Sequence, residues 1–199
     1  LQEQGDTSRE TRRLLAEKAF AHTRDYDSAI AAYLSGDDTL NINLHPIQAL
    51  RYGENWHQEA TLYGYAPGTG PMGGKLLQGK AVSYNNMLDL DAAWRAAVSY
   101  QRPTVVIVKH LSPCGLASAN NLAEAYTPAL DCDPVSAFGS VIAVNQPFNE
   151  AVAQKLGDLF VECIVAPGFT AGAMKILAEK KNLRLLEMPD TRVEPLYEF

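Results

Sequence analysis

Four consecutive branched aliphatic residues, Val105-Val106-Ile107-Val108, constrain this chain more than any other feature. A run without polar alternation reads as a strand buried on both faces, so apolar layers must cover it from either side. The sequence then changes character at once. Lys109 and His110 are titratable, and Pro113 and Gly115 keep the chain from simply continuing. Ligands of α/β sheets gather at the carboxyl ends of strands, which makes this position a candidate catalytic mouth. A surface Lys-His pair at an ordinary strand end is the other reading of the same residues.

The surrounding pattern supplies the layers. From Asp89 onward, helical and strand periodicities alternate: a helix to about Tyr100, the Val105–Val108 strand, a helix near Asn121 to Leu130, a strand Ser140 to Val144 and a helix Asn149 to Phe160. A strand Cys163 to Ala166, a helix Thr170 to Lys180 and a strand Leu183 to Leu186 follow. This alternation predicts an α/β fold with a largely parallel sheet. Before it, Leu44 to Tyr84 is rich in Gly and Pro, centred on the stretch from Ala66 to Gly74, and reads as strands joined by long loops. Earlier still, Arg9 to Leu34 suits two amphipathic helices broken near His22 to Asp27, with Thr23 and Asp25 as caps at the break.

With 199 residues, 47% of them hydrophobic, the chain can bury one substantial core beside an N-terminal helical element. A net charge of −6, with no basic stripe interleaved with aromatics, argues against a nucleic-acid partner. No apolar run is long enough to cross a bilayer, and the N-terminal stretch lacks the features of a signal or transit peptide, so no membrane partner and a cytoplasmic location are expected. Cys114, Cys132 and Cys163 are odd in number and unpatterned, which suits reduced thiols.

Three further segments carry chemistry. Arg51-Tyr52-Gly53-Glu54-Asn55-Trp56-His57-Gln58 gathers a guanidinium, a phenol, an amide and an imidazole around one glycine. Ser83-Tyr84-Asn85-Asn86 precedes a helix pattern, and Asp133-Pro134-Val135-Ser136-Ala137-Phe138-Gly139 precedes a strand. With Lys109-His110-Leu111-Ser112-Pro113-Cys114-Gly115 between the last two, these segments resemble, in chain order, the RYGENPHQ, SYNN, KHxxPCG and DPVSAFG signatures of the PurH family of bifunctional purine-biosynthesis proteins. The resemblance runs from about Thr11 to about Arg184. It is specific, because four motifs fall in the family's order, but Trp56 stands where the family has proline, and Ser140 where many relatives have a second glycine.

The resemblance implies a cytidine-deaminase-like layered α/β fold and transfer of a formyl group from 10-formyltetrahydrofolate to the amino group of AICAR, an imidazole-carboxamide ribotide. It implies that residues 1–40 are the helical linker that follows a cyclohydrolase domain, and that residues 41–199 begin the transformylase domain. The chain has no initiator Met and stops well before such a domain would end, so a piece of a longer protein is expected, with the remainder of that chain and a second copy in a homodimer as partners. Zinc is not expected. Deaminases of this fold hold their metal with H-x-E and P-C-x-x-C, whereas Pro113-Cys114 is followed by Gly115, Leu116 and Ala117, and no His-x-Glu occurs.

The family's catalytic pair falls on Lys109 and His110. An aromatic amine is a weak nucleophile, so a base must take its proton as it attacks; an imidazole suits that task, and an ammonium suits the oxyanion or the departing folate nitrogen. The family match carries Arg51, Tyr52 and Asn86 to the nucleotide, with the phosphate falling to the guanidinium and the phenol. Phe138 and Gly139 would border both ligands, and Glu162 aligns with an acidic pocket position. Each of these has a plainer reading: Arg51 as a surface charge, Asn86 as a helix cap, Asp89 and Asp91 as first-turn acids, Glu162 as an exposed strand-end carboxylate. Two other functions remain open. Lys109 could be a Schiff-base nucleophile, or the chain could be a truncated, inactive fragment that binds ligand or dimerises.

Overall fold

The structure is a computed structural model that describes residues 6–36, 42, 44–65 and 70–191. It divides into two compact units, residues 1–43 and 44–199. Among its described residues the first unit carries one helix, α1 (Arg9–Ser35), opened by Ser8, whose side chain accepts the Thr11 N–H, and closed by Gly36 at φ 62. Two helices were expected here, but the helix runs through the anticipated break. Nothing between His22 and Asp27 is a glycine or proline, and neither expected cap is used as one. The Thr23 hydroxyl turns back to the Ala19 and Phe20 carbonyls, as mid-helix threonines can, and Asp25 pairs with Arg24.

The second unit carries the rest. β1 (His45–Ala49) and β2 (Thr61–Gly64) form an antiparallel ribbon, and a short 3₁₀ turn (Pro71–Gly73) leads to β3 (Lys75–Gln78). Then come α2 (Tyr84–Val98), β4 (Thr104–Lys109), β5 (Ser112–Ser118), α3 (Leu122–Asp131), β6 (Ser140–Val144), α4 (Glu150–Leu156), β7 (Val161–Ala166), α5 (Ala171–Leu177) and β8 (Arg184–Glu187). Six strands make one sheet in the order β3-β8-β7-β6-β4-β5. The expected stretch from Ala66 to Gly74 falls partly, at residues 66–69, outside the described residues.

The aliphatic run is covered on both faces as its composition requires. Val105 and Ile107 pack with Leu122 and Tyr126 of α3, Val152 and Leu156 of α4 and Leu177 of α5. Val106 and Val108 pack with Leu90 and Trp94 of α2 on the other face. Each fully buried Val or Ile contributes about 1.5–3 kcal/mol of transfer free energy, so this strand anchors both layers.

The α/β layering is the one expected, but the sheet is mixed, with parallel pairing confined to β6–β7 and β7–β8. β4 is antiparallel to both of its neighbours, β6 and β5, and β3 is antiparallel to β8. The cause is β5, which the sequence reading did not anticipate. After β4 the chain reverses within two residues instead of crossing over a face, and a strand reached by a tight hairpin must run antiparallel. Because Val105 faces Val144 and Val108 faces Val141, the carboxyl end of β4 lies beside the amino end of β6. Lys109 and His110 therefore stand at the amino edge of the parallel strands, opposite to where an all-parallel sheet would put its ligands.

Candidate functional site

The turn between β4 and β5 has an unusual backbone. Lys109 pairs with Ser112, leaving His110 and Leu111 as the entire loop, at φ 52 and φ 66. Two positive φ values in a two-residue hairpin are the type I′ pattern, whose twist matches the flanking strands and which normally recruits Asn-Gly. Side-chain-bearing residues there cost roughly 1–2 kcal/mol each. Asp89 of α2 offsets part of that cost: its Oδ1 accepts the Leu111 N–H at 2.7 Å. His110 is left exposed at the tip.

Lys109, half-buried, is held from the other direction. Its Nζ donates to the Phe138 carbonyl at 2.5 Å. The next residue, Gly139, adopts φ 71, and a Cβ there would lie 3.1 Å from that same nitrogen. Glycine is needed twice over, for the left-handed backbone and for the approach of the ammonium. The Phe138 ring is 61% exposed and tilts against Phe160 with centroids 5.3 Å apart, and the Gly139 N–H donates to the Phe160 carbonyl at 2.8 Å. Upstream, the Asp133 carboxylate accepts from the Ser136 hydroxyl (2.6 Å) and N–H (2.9 Å), bonds that hold its pKa below the usual value.

Two residues past Phe160, Glu162 sits inside β7 and is not an exposed strand end. Its carboxylate takes a 2.8 Å ion pair from Arg184, the first residue of β8, which is almost fully buried. The Arg184 Nε has no partner among the described residues.

Arg51 and Tyr52 join from the α2 side. The Arg51 N–H donates to the Val82 carbonyl (3.3 Å), and the Tyr52 carbonyl accepts from the Tyr84 N–H (3.3 Å), so this segment lies along the entry to α2. The Arg51 guanidinium stands 5.5 Å from the Tyr52 ring centroid. Asn86 is the third residue of α2, not the residue before it. Ser83 is the N-cap, and the Asn86 side chain completes the reciprocal half of the capping box by accepting the Ser83 N–H. That uses its oxygen and leaves its amide N–H₂ group outside the described bonds. Since the helix starts at Tyr84, Asp89 and Asp91 are not first-turn acids; Asp89 serves Leu111, and Asp91 pairs with Arg95 at 2.9 Å.

Trp56, the departure from the family pattern, is 84% exposed and meets His57 edge-on at 5.5 Å. The turn around it is intact: the Gln58 N–H reaches the Asn55 carbonyl at 3.0 Å, and the Gly53 N–H reaches the Gln58 carbonyl at 2.8 Å. Trp56 is the second residue of that turn, the position at which proline also fits.

The expected site residues thus lie along one continuous line of contacts. Arg51–Tyr52 touch the start of α2 with Asn86, α2 holds the His110 turn through Asp89, Lys109 holds Phe138–Gly139, and Phe160 leads to Glu162. Sequence reasoning missed Asp89 in this role, Phe160, and Arg184. For Arg184 a signal existed, since an arginine within the apolar run Leu183 to Leu186 needs a partner. The cysteines stand apart. Cys163 is buried, which pushes its thiol up to about 12, and burial also raises Cys114. Among the described residues no group of three His, Cys, Asp or Glu could hold a metal ion, and no helix is long and apolar enough to cross a membrane.

The chain is 46% identical over 198 residues to the bifunctional purine biosynthesis protein PurH of Trichormus variabilis, covering 98% of this chain and 39% of that protein. It is 43% identical over 195 residues to the protein of the same name from Cutibacterium acnes (94% and 38%) and 44% identical over 194 residues to that of Bacillus cereus (94% and 38%). The chain therefore spans about two fifths of the length of these curated relatives. A likeness to Acinetobacter baumannii RibD, with a TM-score of 0.38 and 17% identity over 49% of this chain and 35% of that one, is too slight to inform the fold. The model of the AICARFT/IMPCHase bienzyme family matches residues 1–198, and the chain belongs to that family.

Proposed function

We propose that this chain supplies the nucleotide-gripping and proton-moving part of a transformylase that passes the formyl group of 10-formyltetrahydrofolate to the 5-amino group of AICAR, giving FAICAR. The observation that carries this reading is the line of contacts that links Lys109 and His110 to the Arg51–Tyr52 segment, through α2, and to the Phe138–Gly139 loop. The layered α/β unit accords with a cytidine-deaminase-like scaffold working without zinc.

In this mechanism the ribotide phosphate meets the Arg51 guanidinium and the Tyr52 hydroxyl, and the Asn86 amide faces the heterocycle. The amine nitrogen attacks the formyl carbon while His110, exposed on its turn, takes the proton that the nitrogen sheds. The Lys109 ammonium spends one N–H on the Phe138 carbonyl and keeps two for the oxyanion of the tetrahedral intermediate. As that intermediate collapses, the carbon–nitrogen bond to folate breaks and the folate nitrogen recovers a proton from His110 or Lys109. The exposed Phe138 ring offers a face for a heterocycle, and Glu162, oriented by Arg184, keeps a carboxylate oxygen for the carboxamide or amino group.

Residues 1–40 are assigned to the linker after a cyclohydrolase domain, and residues 41–199 to the first part of the transformylase domain. The remainder of the protein, a homodimeric partner and a cytoplasmic setting complete this reading. In the intact protein, His110→Ala should lower kcat by about 10²–10⁴-fold while AICAR affinity stays within a few-fold, because a general base acts in the transition state. Wild-type turnover would remove His110 from the mechanism. Arg51→Ala should weaken binding of the nucleotide more than of the dephosphorylated nucleoside; equal losses would mean that Arg51 does not read the phosphate.

A further inference from the structure

We propose that Asp89 is a positioning residue for His110, acting through the backbone of the β4–β5 turn. The inference rests on the transfer reading above and adds to it a residue that touches neither ligand. Three observations combine. His110 and Leu111 occupy left-handed backbone with side chains that disfavour it, at φ 52 and φ 66. The Leu111 N–H is taken by Asp89 Oδ1 at 2.7 Å, a charge-assisted bond reaching from α2 across to the hairpin. Leu111 itself is 53% exposed, so side-chain packing does little to fix the turn.

The consequence is mechanical. A type I′ turn without glycine persists only when its surroundings over-determine it. Releasing the Leu111 N–H lets φ at that residue fall back to the ordinary negative region, which re-aims the peptide joining it to His110 and with it the imidazole. Asp89 lies on the same helix as Asn86, three residues further on, so one rigid element registers the nucleotide contact and the proton acceptor together.

The test uses the intact protein. Asp89→Ala should lower kcat by about 10–100-fold, the scale of a sub-ångström to ångström misplacement, with KM for the ribotide changed less than about threefold. Asp89→Asn keeps an oxygen at the same place and should restore most of the turnover. Leu111→Gly placed on Asp89→Ala should do the same, because glycine holds positive φ without a clamp. Amide hydrogen exchange should show Leu111 losing protection in Asp89→Ala. Unchanged turnover in Asp89→Ala, or a loss that neither Asp89→Asn nor Leu111→Gly recovers, would overturn the proposal. Its failure is separable from that of the transfer reading: wild-type turnover in His110→Ala would sink the chemistry, whereas protection at Leu111 reports the clamp whatever reaction is run.

Discussion

On one side of β6, β7 and β8 follow in parallel, each reached through a helix that covers a face of the sheet; on the other, β4 and β5 run antiparallel and are joined by two residues. The parallel side places Ile164 and Leu185 in the core at no exposure, and none of its described strand residues has a positive φ. The hairpin side holds Lys109 and His110, a left-handed turn, and a glycine packed against a helix carbonyl. β4 is as deeply buried as β7, with Val105 to Val108 at no exposure, so what sets the hairpin side apart is the strain at its turn, beside the proposed reacting groups, as expected where geometry is imposed by neighbours.

Substitutions can break or sharpen that contrast. Ile164→Ala in β7 should cost about 4 kcal/mol through lost burial and a cavity between layers, read as a drop in the urea midpoint; a loss below about 1 kcal/mol would mean that β7 is not packed as a core strand. Gly115→Ala in β5 should cost about 3 kcal/mol, because its Cβ would collide with the Ala129 carbonyl oxygen of α3. Leu111→Gly should have the opposite sign, raising stability by about 0.5 kcal/mol after the relief of left-handed strain is set against the extra freedom of the unfolded chain. A destabilised Leu111→Gly would show that the turn stores no strain.

The smallest effect is a pH dependence at the loop before β6. The Ser136 hydroxyl and N–H hold Asp133 below the usual carboxylate value, so its folded pKa lies under its unfolded one. The stabilisation is full above the ordinary carboxylate range and is lost as pH falls through the lowered folded value. Asp133→Asn should flatten that dependence, as followed by the chemical shift of the Ser136 amide across an acid titration. An unchanged profile would assign the effect elsewhere.

Most of the parallel side could be read from the residues, because α3, β6, α4, β7, α5 and β8 each follow a clear periodicity bounded by Asn121, Asn149 or Thr170, which are the N-caps observed. The hairpin side was less legible. His110-Leu111 carries none of the Asn-Gly chemistry that announces a type I′ turn, and Pro113 argues against a strand, although β5 is an edge strand, where proline is tolerated. In α1, the polar stretch from His22 to Asp27 reads as a break, yet a helix with no buried residue can carry polar residues on every turn without interruption. The candidate site residues could be singled out one by one, but the links between them could not. Asp89 to Leu111, Lys109 to the Phe138 carbonyl and Glu162 to Arg184 all join segments distant in sequence, and two of the three involve a backbone group, which side-chain patterns do not report.

The pairing of β3 with β8 has a consequence for the order in which this unit can assemble. Lys75 meets Glu187 only after every intervening element has been made, and Arg184, which orients Glu162, belongs to that same strand, β8. Closing so long a loop carries an entropic cost that local hairpins avoid, so the β4–β5 turn can form early while the Glu162 end waits for β8. A chain emerging during synthesis would hold the His110 turn before β8 arrived to orient the Glu162 carboxylate.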